Sequence, residues 1–219
     1  MSTQLLRVVK FIGSRRGRRL GGRVPTVSVH TTFKSKMALA TEEPPSTTNH
    51  CGRQELLAEF DRLGITHETV EHPEVFTVET MMPHLKDITG MVCKNLFLRD
   101  KKKKLWLLTA LHDRQVTIGT VGKKVGAPNL RFADESILLE KLGVRQGCVT
   151  PFALINDKAG DVRFLLDSEI AKGGEVKVYA HPLVNSASTA VSSEDFMKFV
   201  RATGHEPILV DFSEMDSAS

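Results

Sequence analysis

Four short segments contain residues whose chemistry suits ligand binding or hydrolysis. In the first, Cys93-Lys94-Asn95 begins an apolar strand in which the two-residue alternation of side chains places Lys94, Leu96 and Leu98 on one face. A lysine on such a face either extends its ammonium group into water or projects into a pocket that holds an anionic or carbonyl partner. The spacing alone leaves both interpretations open.

The second segment is Gly147-Cys148-Val149-Thr150-Pro151, which joins a predicted helix to an apolar run. The glycine and the proline at its two ends restrict a tight loop whose backbone N–H and C=O groups can face a ligand, although a plain connection between two elements has the same composition. Cys148 is a weak candidate nucleophile, because no neighbouring residue supplies a base.

The third and fourth segments add a titratable group and a basic cluster. A strand predicted at 177–180 is followed by His181-Pro182, so this histidine is either a structural residue or a hydrogen-bonding group at the mouth of a pocket, and Asn185 follows in the same turn. The basic cluster is either a solvated turn or a phosphate-binding one. It consists of Lys101, Lys102, Lys103 and Lys104, with Lys123, Lys124 and Arg131 further along the chain.

The sequence contains none of the common signatures of phosphate-binding loops, dinucleotide sites, zinc proteases or serine hydrolases. Its three cysteines, Cys51, Cys93 and Cys148, are widely separated and lack the close pairing of zinc sites and disulfide frameworks. We interpret them as free thiols in a reducing compartment. An active site would therefore be built from scattered residues, and neither a metal nor another cofactor is predicted.

The elements that must position these residues are helices and strands that alternate along the chain. Apolar residues at helical spacing predict helices at 54–63, from about 77, at 118–125 and at 137–142, and a capped helix after Ser192 that ends at Gly204. Gly119 and Gly122 each weaken the third of these by about 1 kcal/mol relative to alanine. Apolar runs bounded by Asp, Gly and Pro predict strands at 67–70, 95–98, 105–111, 152–155, 162–166, 177–180 and 208–212. Several strands are joined by links too short for a crossover helix, so we expect a mixed sheet with antiparallel pairs.

Basic residues are distributed unevenly along the chain. The 219 residues include 30 Lys and Arg and 26 Asp and Glu, a net charge of +4, but residues 1–36 contain nine basic residues and no acidic one. The other 183 residues therefore carry 21 basic and 26 acidic side chains, a net charge of −5. Broad electrostatic capture of nucleic acid is not expected from this part, so any such binding would depend on a local basic patch.

These patterns divide the chain into four parts. Residues 1–36 form an Arg-rich leader with an amphipathic start, typical of a mitochondrial transit peptide, or an optional extension if translation begins at Met37. Residues 37–53 are a Pro/Ser/Thr-rich linker, 54–212 the folded domain and 213–219 a tail. No apolar run approaches the roughly 20 residues needed to cross a bilayer, so no membrane partner is predicted. The predicted location is cytoplasmic, or mitochondrial if the leader acts as a transit peptide.

Five segments taken together resemble a known family. They are HPEVFTVE (His72 to Glu79), CKNLFLRDKKKKLWLLTALHDRQV (Cys93 to Val116), LRFADE (Leu130 to Glu135), GCVTPFAL (Gly147 to Leu154) and YAHPLVNSAS (Tyr179 to Ser188). In this order they are similar to aminoacyl-tRNA deacylases of the YbaK and prolyl-tRNA synthetase editing-domain family, and most of all to its freestanding ProX-type branch. The similarity extends from about Gln54 to Phe212.

The resemblance implies a single α/β (α+β) domain with a central mixed, largely antiparallel, barrel-like sheet flanked by helices. It also implies a hydrolase that cleaves the ester bond of mischarged tRNA(Pro), with Ala-tRNA(Pro) as the expected substrate. The partner would be the acceptor end of tRNA(Pro), with prolyl-tRNA synthetase as a further candidate, and no DNA is expected. A deacylase for Cys-tRNA or Ser-tRNA, or a non-catalytic module that binds tRNA or a synthetase, remains an alternative.

The resemblance also assigns roles to individual residues. The essential lysine of the family and the asparagine after it fall on Lys94 and Asn95, its GxxxP loop on Gly147 and Pro151, and its histidine after the strand on His181. The predicted catalytic residues are Lys94, Asn95, Gly147 and His181. The predicted substrate-binding residues are Cys148, Val149, Thr150, Pro151 and Asn185, and the predicted tRNA-binding residues are Lys101, Lys102, Lys103 and Lys104.

Overall fold

The computed structural model describes residues 50–85 and 88–213, which form a mixed α/β domain. Its strands are β1 (His67–Glu71), β2 (Met91–Arg99), β3 (Leu105–Leu111), β4 (Arg131–Phe132), β5 (Val162–Asp167), β6 (Lys177–Ala180), β7 (Ala187–Ser192) and β8 (Ile208–Val210). Its α-helices are α1 (Arg53–Leu63), α2 (Val78–Met81), α3 (Ile118–Lys124), α4 (Glu135–Leu142), α5 (Ser168–Lys172) and α6 (Ser193–Ala202). Short 3-10 helices occupy Met82–Leu85 and Pro151–Asn156.

The eight strands form one mixed sheet in the order β1-β7-β6-β2-β3-β5-β8, with β4 paired to β2. Four of the pairings are antiparallel, namely β1–β7, β6–β7, β2–β3 and β2–β4, whereas β2–β6, β3–β5 and β5–β8 are parallel. This confirms the predicted α/β domain around a mixed sheet. No helix in the described part of the chain is long and apolar enough to cross a membrane.

Side chains of β2 and β3 alternate between two apolar clusters, one on each face of the sheet. Phe97 and Leu107 belong to a cluster that includes residues of α1, α4 and α6, whereas Leu98 and Trp106 belong to a second cluster with Val121 of α3. Residues directly opposite in the antiparallel register, such as Leu98 and Trp106, therefore share a face. Both faces of β2 are thus covered, and its strand edge is the place where a ligand can approach it.

The strand predicted at 152–155 is wrong, because these residues form the 3-10 helix Pro151–Asn156. Thr150 precedes this helix and its hydroxyl oxygen accepts a hydrogen bond from the Phe152 N–H, at 3.4 Å. Pro151 suits the first helical position, where an N–H would have no partner. All six residues are buried, so the sequence shows neither a period of two nor a helical stripe that would distinguish the two structures.

Helix α3 forms despite its two glycines, and the packing of the helix explains why residue 122 is one of them. A Cβ atom at residue 122 would lie 2.7 Å from the carbonyl oxygen of Ala127, because the loop after the helix packs directly against its backbone. The Ala127 N–H donates to the Gly122 carbonyl at 2.8 Å. Close packing of backbone on backbone therefore compensates for the low helix propensity of glycine here.

The folded domain begins a few residues before the predicted boundary at Gln54. The Cys51 N–H donates to Oδ1 of Asn156 at 2.7 Å, and its carbonyl accepts from Nδ2 of the same residue at 3.3 Å. Helix α1 then starts at Arg53. The last residues of the predicted linker 37–53 are therefore anchored to the domain. The predicted leader 1–36 lies outside the described residues, as does the predicted tail from residue 214 onward.

Candidate active site

A gap between two short partner strands opens one edge of β2. On that edge β6 pairs with Met91 and Val92, and β4 pairs with Leu98 and Arg99, while β3 occupies the other edge. The Phe97 carbonyl faces the open edge, where it accepts from the Ala133 N–H at 3.0 Å. Alternate residues of a strand point their N–H and C=O groups to the same edge, so the backbone of Asn95 also faces the gap.

A cavity of about 400 Å³ lies at this gap, and Cys93 to Phe97 form part of its wall. The structure brings the four predicted catalytic residues, Lys94, Asn95, Gly147 and His181, together in the lining of this cavity, along with Val149. They come from β2, from the loop before the second 3-10 helix and from the turn after β6. A volume of this size suits a small ligand or one end of a large one.

The ammonium group of Lys94 is held by the segment that follows β3. Its Nζ donates a hydrogen bond to the backbone carbonyl of Arg114. The Arg114 side chain in turn forms an ion pair with the fully buried Asp167, with Nε and Oδ2 3.1 Å apart, and the same Oδ2 accepts from the Leu111 N–H at 3.4 Å. A buried carboxylate at the end of β5 therefore fixes the segment that positions Lys94.

The charge of Lys94 also reaches Glu79, in helix α2. The pKa of Glu79 is lowered first by its own backbone N–H and then by the Thr77 hydroxyl, with Lys94 and His112 adding smaller electrostatic contributions. Glu79 is therefore ionised throughout the neutral range.

Asn95 has a fixed orientation and presents donors to the cavity. The hydroxyl of Thr109, directly opposite on β3, donates to Oδ1 of Asn95 at 2.8 Å. This bond leaves the Nδ2 group as the end of the carboxamide that faces the cavity, and no acceptor for Nδ2 exists within residues 50–85 and 88–213. Asn95 thus supplies side-chain N–H groups beside its exposed backbone edge.

The loop from Gly147 to Pro151 is shaped by its glycine. Gly147 has φ of +88°, and a Cβ there would lie 2.7 Å from Cδ1 of Phe76, so both the backbone angle and the packed ring require glycine. The Cys148 N–H is used within the loop, where it donates to the Arg145 carbonyl at 3.0 Å. The N–H groups of Gly147 and Val149 have no acceptor among the described residues, and both residues line the cavity.

His181 contributes a hydrogen-bond acceptor to the cavity. Its Nδ1 lies 2.9 Å from the Ala187 carbonyl, which can only accept, so Nδ1 carries the proton and Nε2 of the neutral ring is an acceptor. Burial lowers the pKa of His181, the bond to Ala187 partly opposes this, and the His72 ring, 6.1 Å away between centroids, lowers it further. The ring is therefore neutral at neutral pH.

The other predicted substrate-binding residues lie outside the cavity lining and support it. Thr150 and Pro151 are buried at the start of the 3-10 helix, and Cys148 is half-buried against the main core cluster. Asn185 is buried, with its carbonyl accepting from the Val75 N–H at 3.1 Å and its Nδ2 3.6 Å from the position a Cβ would take on Gly147. These residues position the loop and the Phe76 segment.

The four predicted tRNA-binding lysines lie at the opposite end of β2 from Met91. Their turn between β2 and β3 is exposed and is held by Asp100, whose carboxylate accepts from the Lys104 N–H at 3.0 Å. Lys101 follows Lys94 by seven positions, which at the usual rise of a strand is roughly 20 Å. The turn is therefore separate from the cavity and lies at a distance suited to a contact with the body of a large ligand. It consists of Lys101, Lys102, Lys103 and Lys104.

Several residues that the sequence did not single out also line the cavity, among them Phe76, Phe132, Glu135 and Gln146. Phe76, Phe132 and Glu135 lie inside segments that carry the family resemblance, which was the available signal for them. The Glu135 carboxylate accepts from the Gln146 N–H at 3.3 Å. That contact links α4 to the Gly147 loop, and a tertiary contact of this kind leaves no periodic pattern in the sequence.

Comparison with known proteins identifies the family to which this domain belongs. Residues 72–199 match the family model described as the aminoacyl-tRNA editing domain. The chain belongs to this family, and the predicted family resemblance is confirmed.

Individual relatives agree with this assignment. The chain is 55% identical over 163 residues to prolyl-tRNA synthetase associated domain-containing protein 1 of Mus musculus. The matched region covers 73% of this chain and 96% of that protein. The chain is 34% identical over 154 residues to the prolyl-tRNA editing protein ProX of Acetoanaerobium sticklandii, covering 70% and 93%. A crystal structure described as a candidate trans-editing enzyme for prolyl tRNA synthetase has the same fold, with a TM-score of 0.56 at 19% identity over 73% of this chain and 94% of that one.

Proposed function

We propose that this protein is a trans-editing deacylase that hydrolyses the ester bond of mischarged tRNA(Pro), with alanine as the amino acid. The observation that carries the proposal is the convergence of Lys94, Asn95, Gly147 and His181 from three separate segments on one small cavity. An aminoacyl ester is already activated toward water. The site therefore needs positioning groups and hydrogen-bond donors more than a strong nucleophile.

The donors of the cavity suit an ester whose carbonyl oxygen gains negative charge during water attack. Asn95, Gly147 and Val149, which carry these N–H donors, line the same cavity, and Lys94 in that lining adds a positive charge. In the proposed reaction, water adds to the acyl carbon and the bond from this carbon to the ribose oxygen breaks. The ribose oxygen leaves with a proton, and free alanine and uncharged tRNA result.

Neutral His181 is proposed to accept a hydrogen bond from the α-amino group of the substrate or from the attacking water. Its Nε2 has the lone pair that this role needs, because Nδ1 is committed to the Ala187 carbonyl. The ribose hydroxyl next to the ester is a second group that can assist the water. In either case the protein holds the ester and the water in place, and the group that accepts the proton lies within hydrogen-bonding distance of the water.

The selection of alanine follows from a limit on the synthetase. A pocket shaped for proline rejects a smaller amino acid by only about 1 to 3 kcal/mol for each methylene, so a second site that admits the small product is needed for accuracy. A cavity of about 400 Å³ has room for such a product. The acceptor end of tRNA(Pro) is the proposed partner, and the exposed turn at Lys101 to Lys104 is proposed to contact phosphates of its stem.

The deciding experiment compares deacylation of Ala-tRNA(Pro), Cys-tRNA and Ser-tRNA by the full chain, side by side. The proposal predicts the fastest turnover with Ala-tRNA(Pro), and faster turnover of one of the other two would reassign the substrate. No turnover of any of the three would favour a binding module without catalysis. Lys94→Ala should lose most of the rate, whereas Lys198→Ala, an exposed lysine on α6, should keep it.

A further inference from the structure

The phenylalanines of the described residues fall into two sharply different groups. Seven of the nine are at most 4% exposed and lie in the core. The other two, Phe76 and Phe132, are 69% and 62% exposed, and both line the cavity. The other large hydrophobic side chains that are exposed in the described residues are aliphatic and lie outside the cavity wall. The chain therefore exposes aromatic rings at the cavity while it buries every other described phenylalanine.

Both rings are mostly exposed and stack on no other aromatic ring of the described residues. Neither Phe76 nor Phe132 contacts another aromatic ring in the described part of the chain, although five core phenylalanines pack on one another. Phe76 packs on one side against Gly147, and this contact leaves no room for a side chain at residue 147. Phe132 is held by the pairing of β4 with Leu98 and Arg99 of β2. Each ring is thus attached to a fixed element at the cavity.

We infer that Phe76 and Phe132 form a stacking site for the unpaired bases at the 3′ end of the aminoacyl-tRNA, an inference that rests on the proposed function. The ester that enters the cavity is attached to the ribose of the terminal nucleotide, so the base of that nucleotide must leave the cavity past its aromatic wall. Phe76 contacts Gly147, whose N–H is proposed to face the ester carbonyl, and therefore stacks on the terminal base. Phe132 stacks on the base before it.

Stacking suits the requirements of this substrate. Every base has a π face, and a base stacked on an aromatic side chain is stabilised by about 1 to 3 kcal/mol without a sequence-specific hydrogen bond. All tRNAs end in the same unpaired nucleotides. The two rings would therefore hold the 3′ end in register with Lys94 and His181, while the amino-acid part of the cavity distinguishes the substrates.

The test uses the full chain and two separate readouts. In the first, kcat/KM for Ala-tRNA(Pro) is measured for Phe76→Leu, Phe132→Leu, Phe76→Trp and the control Leu209→Ala, an exposed aliphatic residue of β8 outside the cavity wall. Each leucine variant should lower kcat/KM by about 5- to 150-fold, from the loss of one stacked base. The tryptophan variant should retain activity, and the control should match the wild type.

The second readout is independent of hydrolysis. The single native tryptophan, Trp106, is 1% exposed, so a new tryptophan in Phe76→Trp reports on the cavity wall. Adding an oligonucleotide that ends in CCA and carries no amino acid should quench the fluorescence of this new tryptophan. If the fluorescence is quenched but the protein hydrolyses no aminoacyl-tRNA, the stacking site is supported and the proposed function is refuted. Full activity of both leucine variants with Ala-tRNA(Pro), or no quenching, would overturn the stacking site alone and would favour a protein partner for the exposed rings.

Discussion

Replacing Asp167 by asparagine tests how the site holds its lysine. The Asp167 carboxylate accepts from the Leu111 N–H, from Nε of Arg114 and, through Oδ1, from the Glu169 N–H at the start of α5. Asparagine keeps the oxygen that caps α5 and removes the charge opposite the Arg114 side chain, which is only 18% exposed. Breaking a buried ion pair by neutralising one partner costs about 3 to 5 kcal/mol, and the partial exposure of Arg114 favours the lower figure.

The expected stability loss is therefore about 3 kcal/mol, which for a domain of this size corresponds to a decrease in Tm of about 6 to 12 °C. Deacylation should decrease as well, because the segment that contains Arg114 positions the ammonium of Lys94 through a backbone carbonyl. A displacement of about 1 Å at a catalytic group can lower the rate about 100-fold. We expect kcat/KM for Ala-tRNA(Pro) to fall by about 10- to 100-fold in Asp167→Asn.

Asp157 provides a matched control at the other end of β5. It is also buried, and its carboxylate accepts from the N–H groups of Asp161 and Val162 and lies 3.0 Å from Nε2 of His205. It does not line the cavity. Asp157→Asn should lower Tm while leaving kcat/KM near the wild-type value at a temperature where both variants are folded. If the two variants lose activity by the same factor there, Asp167 acts through global stability and the positioning argument is refuted.

Three further predictions concern the loop, the histidine and the lysine turn. Gly147→Ala should lower the free energy of unfolding by about 1 to 2 kcal/mol, the cost of a left-handed backbone for alanine. It should also lower kcat/KM, because the new Cβ displaces Phe76. Gly160→Ala, at φ +67° with no atom within 4 Å of a Cβ, should lower the stability alone. Equal activities of these two variants would contradict the role of Gly147. The pKa of His181 lies below its usual 6.5, so kcat/KM should fall in acid as the ring is protonated, and His181→Gln should lack this acid limb. The free energy of unfolding should fall as the pH drops below 6.5, because the histidine of the unfolded chain takes up a proton before His181 of the folded chain does. Urea unfolding at several pH values measures this free energy. A value independent of pH below 6.5 would contradict the prediction. Binding of tRNA should show a log-log salt slope no steeper than about −4.5, because Lys94 and the turn Lys101 to Lys104 supply five phosphate contacts at about −0.9 each, and a slope near −10 would require a much larger footprint.

Much of the fold was predictable because local signals agreed with tertiary packing. Strands β3 and β6 have the predicted bounds, and the hydroxyl of Ser192 caps α6 by accepting from the Asp195 N–H at 3.0 Å, as its spacing indicated. Strand β7 was missed because its buried side chains are mostly small alanines, serines and threonines. Such residues fill space against a neighbouring strand and leave no apolar alternation in the sequence.

The candidate site was predictable where the residues belong to ordered motifs, and unpredictable where tertiary contacts assemble it. Lys94, Asn95, Gly147 and His181 were expected and lie together. The groups that hold them lie far away in sequence, since the Asp167 carboxylate is 53 residues from Arg114. No spacing rule connects two such residues, because the contact exists only once β3 and β5 pair.

The lengths of two strands explain why the cavity lies where it does. Strand β2 has nine residues, yet β6 covers two of them and β4 covers two others on the same edge, so the middle of β2 has no strand beside it there. Pro182 prevents β6 from extending along β2, because proline has no N–H to continue the ladder, and His181 is thereby left at the gap. A longer β6 would cover Asn95 with backbone hydrogen bonds and fill the cavity. Pro182, two residues after β6, thus helps to keep this edge of β2 open for the proposed chemistry.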